Sequence, residues 1–194
     1  MSTASLHTSA TEMLTGWEIT DRSQDSMRHT VLAFLAARDD ACLRSCAPGH
    51  LTASTLILDH TGTHTLLTLH PRVGAWIQVG GHCEESDDTL RDAAAREARE
   101  ESGIPDLSLS VNPIALHTHP ITCSLGVPTR HLDVRFLGIA PEVDGGGLPD
   151  IVRSDESVDL RWWPVDDLPD DTHRPEMGDL VAAALAAARG VSPA

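Results

Sequence analysis

Between Gly80 and Gly103 the chain reads GGHCEESDDTLRDAAAREAREESG, and this run constrains the fold more than any other. Its second half is rich in alanine and arginine and asks for a helix, with Gly103 as the C-terminal stop. Two glycines and four acids, Glu84, Glu85, Asp87 and Asp88, stand in front of it. At roughly 100° per residue, Glu97 and Glu101 fall roughly 40° apart, with Glu100 roughly 60° to the other side. Three carboxylates therefore share one stripe. Such spacing costs about a few tenths of a kcal/mol per pair. A divalent cation offsets that repulsion, because Mg²⁺ and Mn²⁺ take hard oxygen ligands. Clustered glutamates taken alone are more often a solvated face, here paired with Arg96 and Arg99.

Charge narrows the partners. The formal net charge is −15, which argues against a nucleic-acid polymer or an anionic membrane surface as partner. A polyanionic ligand then needs a metal or a local arginine cluster to reverse the field. All 14 basic residues are arginines, so Schiff-base lysine chemistry and a P-loop are excluded. No stretch reads as a membrane span, and MSTASLHTSATEMLTGW lacks the regions of a signal peptide, so a cytoplasmic protein is expected. The 4 cysteines do not make a disulfide framework. Cys42, Cys46 and His50, in CLRSCAPGH, have the look of a zinc clip, but no fourth ligand follows and Pro48-Gly49 break the segment. They read instead as buried small residues and a loop histidine.

Residues 1–20 are small and polar and read as a flexible N-terminal arm; residues 21–194 read as a single domain. A helical segment with Met27, Val31, Leu32, Phe34 and Leu35 comes first. LTASTLILDHTG and THTLLTLHP read as a hairpin, and GAWIQVGG as a short third strand entering the glycines. After the acidic helix, DLSLSVNPIALHTHP, RHLDVRFLGIAP and SVDLRWWPV are strand-like, and DLVAAALAAARG is a closing helix. The pattern predicts an α/β fold, a mixed sheet covered by helices.

The acidic run resembles the Nudix box, whose pattern is G-x5-E-x7-R-E-U-x-E-E-x-G-U with U aliphatic. Arg96-Glu97-Ala98-Arg99-Glu100-Glu101-Ser102-Gly103-Ile104 agrees with its second half at every fixed position, and Gly80-Gly81 with its start. The first Glu of the pattern is missing, and the stretch from Gly81 to Arg96 is one residue longer. Placing the extra residue in the loop gives Asp88 that position, since it keeps the seven-residue spacing to Arg96.

The resemblance implies a Nudix-type α/β/α sandwich with a mixed β-sheet and a catalytic acidic helix. It also implies hydrolysis of a nucleoside diphosphate linked to another moiety, with Mg²⁺ or Mn²⁺. In that reading Glu97 and Glu101 hold metal, helped by Glu100 and the Gly81 carbonyl. Glu100 or Glu156, the latter in SDESVDL, orients or deprotonates the attacking water. Gly80, Asp88, Arg96 and Gly103 are structural in the motif. The partner is a small phosphorylated substrate, and a homodimer is compatible with the reading.

In RHLDVRFLG, alternation puts Leu132, Val134 and Phe136 on one face and His131, Asp133 and Arg135 on the other. That polar face is expected to line the cleft, with Arg135 contacting substrate and His131 nearby. His117 and His119 share a strand face, read as a solvated edge rather than a metal site. His82 and Cys83 fit either an approach to substrate or plain loop occupancy. Of Trp162 and Trp163, one is expected in the core and one outward. Two rivals share the fold: an isopentenyl-diphosphate-isomerase-like enzyme, for which Cys83 is the candidate catalytic cysteine, and a non-catalytic nucleotide-ligand sensor.

Overall fold

The strand β1 (His50–Leu58) is buried along its whole length, which its run of Leu, Thr, Ala and Ile allows because helices cover both faces. The computed structural model describes residues 3–122, 126, 128–172 and 176–190. Ahead of β1 lie helices α1 (Thr3–Gly16) and α2 (Arg22–Ala37); after it come β2 (His64–His70), β3 (Ala75–Ile77) and β4 (Val79–His82). Helix α3 (Leu90–Ser102) follows, then β5 (Ser108–Leu109), β6 (Ala115–Thr122), β7 (Pro128–Ile139), β8 (Asp159–Pro164) and α4 (Glu176–Gly190).

β1 pairs in parallel with β7, from His50 opposite His131 to Leu58 opposite Ile139. The remaining strand pairs are antiparallel, giving a mixed 8-stranded sheet. The other edge of β1 is divided. Ile57 and Leu58 pair with β2, while residues 52–55 pair with β4. The sheet therefore opens between β2 and β4. GAWIQVGG, expected as one strand, breaks at Gln78 because β3 follows β2 while β4 crosses to β1. Gly80 permits that crossing. Its φ is 148°, and a Cβ there would lie 2.4 Å from the Cβ of Ser54.

Helices α1, α2 and α3 cover one face of the sheet, with Leu14, Leu35, Ala98 and Phe136 in a shared core. Helix α4 covers part of the other, packing Met177, Leu180 and Val181 on Leu56, Leu58 and Leu137. These are the layers of an α/β/α sandwich. The flexible arm expected over residues 1–20 is corrected by α1. Leu6, Ala10 and Leu14 recur at helical spacing and are buried, together with Trp17. Their polar neighbours hid this stripe. His7 Nε2 bonds the carbonyls of Leu35 and Arg38 at 3.0 and 3.2 Å, and Arg28 donates to the Leu14 carbonyl at 3.1 Å.

The β1–β2 turn is organised by Asp59, which is 3% exposed. It accepts from the backbone N–H groups of His64 at 2.6 Å and Thr61 at 3.0 Å, and from the Thr61 hydroxyl. Burial pushes its pKa up, but these donors outweigh it and hold the carboxyl below its ordinary value.

Two outcomes follow. Leu14→Ala should destabilise the protein by about 2–4 kcal/mol in urea unfolding, where a loose arm would give no change. Asp59→Asn should cost about 1–3 kcal/mol near neutrality. Because the folded pKa is depressed, that contribution is present above the ordinary Asp value of about 3.9 and lost as pH falls through the lower folded value. Unfolding of the two proteins compared from pH 7 into strong acid should therefore converge.

Candidate active site

Thr89 caps α3 by accepting from the Asp92 N–H at 3.0 Å, and Gly103 closes it at φ 72°, donating to the Arg99 carbonyl at 2.9 Å. The alanines of α3 seat it against the sheet, and this turns the glutamate stripe toward Gly80 and Gly81. A Cβ on Gly81 would lie 2.7 Å from the Glu97 carboxylate, so only glycine lets that group rest on the strand. The Gly80 N–H donates to Glu101 at 3.3 Å.

The carboxylates are unequal. Glu101 is 9% exposed and the Glu97 side chain 14%, whereas that of Glu100 is 60% exposed. Burial, then the neighbouring Glu97 charge, pushes the Glu101 pKa up to about 8. Burial also raises Glu97, with Arg96 pulling the other way. Glu101, shielded and answered by one backbone N–H, is thus short of positive charge.

Arg96 binds the loop to the helix. Its guanidinium reaches both Asp87 oxygens at 3.2 and 3.0 Å, the His82 carbonyl at 2.9 Å, Glu97 at 2.9 Å and Glu100 at 3.2 Å. The expected placement of Asp88 is corrected here. Asp87 is 7% exposed and also accepts from the Glu84 N–H at 2.8 Å, while Asp88 faces solvent. The extra residue thus lies after the loop acid, just ahead of the Thr89 cap. Spacing to Arg96 misled because the turn, not the helix, absorbs the insertion.

A cleft of about 640 Å³ opens beside the stripe. Glu97, Glu100, Glu101, Gly80 and Gly81 line one side, Glu156 and Ser157 another, and His82, His119, His131 and Asp133 the floor. Both candidates for handling the water, Glu100 and Glu156, border the same space. Arg44 and Arg72, which the sequence did not single out, stand at its rim and are exposed. Their loops follow α2 and β2, and no motif marks them.

Arg135 does not reach the cleft as expected. It is 4% exposed and donates to Asp133 at 2.9 Å and Glu176 at 2.6 Å, tying β7 to the start of α4. Asp133 is itself saturated, accepting also from Thr52, Ser54 and Gln78. The face-sharing pattern of β7 holds, with Leu132, Val134 and Phe136 in the core. Helix α4 covers the Arg135 end of the opposite face, so only His131 and Asp133 line the cleft.

Other expectations resolve in the same way. Cys83 is 7% exposed in the core, its Sγ 3.9 Å from the Leu51 carbonyl, and burial raises its pKa. A protonated thiol turned into the core cannot serve an isomerase. Both tryptophans are packed: Trp162 donates to the Pro149 carbonyl at 3.1 Å, and Trp163 stands edge-on to Trp76 at 5.2 Å. Neither stacks in the cleft. His117 contacts Glu176 at 3.3 Å, and His119 packs on His131 with ring centres 5.1 Å apart, so that edge is not simply solvated.

The family model for the NUDIX domain matches residues 48–184. The chain belongs to the Nudix family. As a Nudix hydrolase it acts on pyrophosphate bonds, and the enzymes of this family generally need divalent metals. Solved structures share the fold at low identity. A Caenorhabditis elegans Ap4A hydrolase binary complex has 22% identity and a TM-score of 0.51, covering 73% of this chain and 98% of its own. A NUDIX-family hydrolase from Clostridium perfringens has 22% identity and a TM-score of 0.53, with 74% and 98% covered. The Escherichia coli dihydroneopterin triphosphate pyrophosphohydrolase has 21% identity and a TM-score of 0.53, with 68% and 91% covered. Among curated proteins there is no match.

The loop correction predicts an asymmetric pair. Asp87→Ala should lower stability by about 1–3 kcal/mol, because it removes two Arg96 contacts and the acceptor of the Glu84 N–H, and should loosen residues 82–88 to hydrogen exchange. Asp88→Ala should change neither.

Proposed function

We propose that this Nudix protein hydrolyses the pyrophosphate link of a nucleoside diphosphate derivative using Mg²⁺ or Mn²⁺ held on α3. The observation that carries the reading is Glu101. It is buried, has one backbone N–H as partner, and has no cation paired to it among the described residues. Such a carboxylate beside Glu97 fits a hard divalent ion, with the Gly81 carbonyl and Glu100 as further oxygen donors. When bound, the ion supplies charge neutralisation at phosphorus and a bound water of lowered pKa.

The chain's own residues do the rest. Arg96 holds the loop and Glu97 in register. Arg44 and Arg72, at the rim, meet the outer phosphate oxygens in place of the interior Arg135. Glu156 has no ion pair among the described residues and faces the stripe across the cleft, which suits it to take a proton from water. Glu100, already held by Arg96, serves better as a ligand. No described helix is long and apolar enough to cross a membrane. We place the enzyme in the cytoplasm, acting on a small phosphorylated substrate. The named neighbours act on Ap4A and dihydroneopterin triphosphate, so dinucleoside polyphosphates and triphosphates belong in the screen beside nucleotide sugars, ADP-ribose and oxidised nucleotides.

Metal-dependent phosphate or nucleotide release across that panel tests the reading. On the best substrate, Glu97→Gln and Glu101→Gln should each lose on the order of 10²-fold in kcat while remaining folded. Turnover near wild type in Glu101→Gln at limiting Mg²⁺ would overturn it.

A further inference from the structure

Three histidines far apart in sequence meet beside the cleft, which His82 and His131 line. His50 and His131 face each other across the β1–β7 ladder, and His82 ends β4, opposite Thr52 of β1. The ring centres form a near-equilateral triangle: 5.0 Å from His50 to His131, 5.1 Å from His50 to His82, and 5.1 Å from His82 to His131. One ligand atom from each lies within 4.8 Å of the other two. The Nε2 atoms of all three are buried without a hydrogen-bond partner.

Ordinary packing does not account for this. Buried polar atoms are nearly always paired, and each orphan here is close to two others. Two imidazole nitrogens can share a proton, but three cannot all be satisfied that way. His50 is 1% exposed, and its Nδ1 lies 3.4 Å from the Cys46 carbonyl, which takes the Nδ1 proton and leaves Nε2 a lone pair. A backbone carbonyl behind a ligating imidazole is the usual support of a metal-bound histidine. The nearby thiols are not part of the set. Among the described residues, the ligand atoms that come together are those of the three histidines alone.

We propose that His50, His82 and His131 form a second cation site, for a transition ion of the zinc class, distinct from the glutamate stripe. Imidazole suits zinc and its neighbours, whereas carboxylate and carbonyl oxygens suit Mg²⁺ and Mn²⁺, so the two sites sort ions by donor chemistry. Tetrahedral nitrogen ligands at about 2.0–2.1 Å lie about 3.3 Å apart, so atoms within 4.8 Å of one another need close by about 1.5 Å at most. His82 and His131 line the cleft, and the fourth position therefore opens into it, where water or an anionic oxygen of the ligand can bind.

Chelator-treated whole protein titrated with Co²⁺ as the optical probe tests the site. Wild type should bind one ion per chain with visible d–d absorption, displaced by one equivalent of Zn²⁺. Glu101→Gln should keep those bands, while His131→Asn and His82→Asn should lose them with an affinity loss of about 100-fold, folding being checked by circular dichroism. Unchanged bands in both histidine variants, or bands lost in Glu101→Gln alone, would overturn the proposal. If the histidine variants fail to fold, X-ray absorption of cobalt-loaded wild type decides: imidazole scattering supports the site, and an all-oxygen shell refutes it. The hydrolase reading is judged separately, by Mg²⁺-dependent turnover.

Discussion

Arg96 is the contact on which the rest of the cleft depends. One guanidinium gathers the loop carboxylate of Asp87, the end of β4 through the His82 carbonyl, and two of the three helix glutamates. Its flat fork supplies several donors in one plane, which an ammonium could not do. Without it, Glu97 would sit shielded from water beside Glu101 with no countercharge, and the glycine pair would lose its register on α3. The same contacts leave Glu101 outside the arginine's reach. The cation that assembles the stripe thus leaves one buried carboxylate with no countercharge among the described residues.

Arg135 does a similar task between elements. It bridges β7 to α4 through Asp133 and Glu176, and Asp133 collects hydroxyl and amide donors from β1 and from Gln78. This network lies where β1 changes partners from β4 to β2. A polar cluster there ties β1, β7 and Gln78 together, and its members line the cleft. In a chain of net charge −15, both arginines are consumed by internal carboxylates. Arg44 and Arg72 are the arginines that stand at the cleft rim.

The acidic helix was legible because its signal is local. Glu97, Glu100 and Glu101 need only the helical period to be placed together, and Gly103 marks its own end. The alternation of β7 was legible for the same reason. What failed was whatever depends on the third dimension. Residues 1–20 looked loose because three apolar side chains among polar ones form a stripe only once α2 and α3 are there to receive them. Arg135 shares a face with His131, as alternation requires, but which end of that face a helix covers is a matter of topology. In sequence His50 stands beside Cys42 and Cys46. Its neighbours in space are His82 and His131, which only the strand order β4–β1–β7 brings abreast.

The way α2 meets β6 has a consequence for the protein in concentrated solution. Among the described residues β6 pairs with β7 alone, so its outer side presents unpaired backbone groups. Gln24 answers them as a strand would: its carboxamide accepts from the Leu116 N–H at 2.7 Å and donates to the Leu116 carbonyl at 3.2 Å. Further along, Pro120 offers no N–H. A single side-chain amide and one imino acid thus blunt an edge on which another molecule could extend the sheet. Helix α2 therefore shields part of a sheet edge against pairing with a second molecule as well as covering the core.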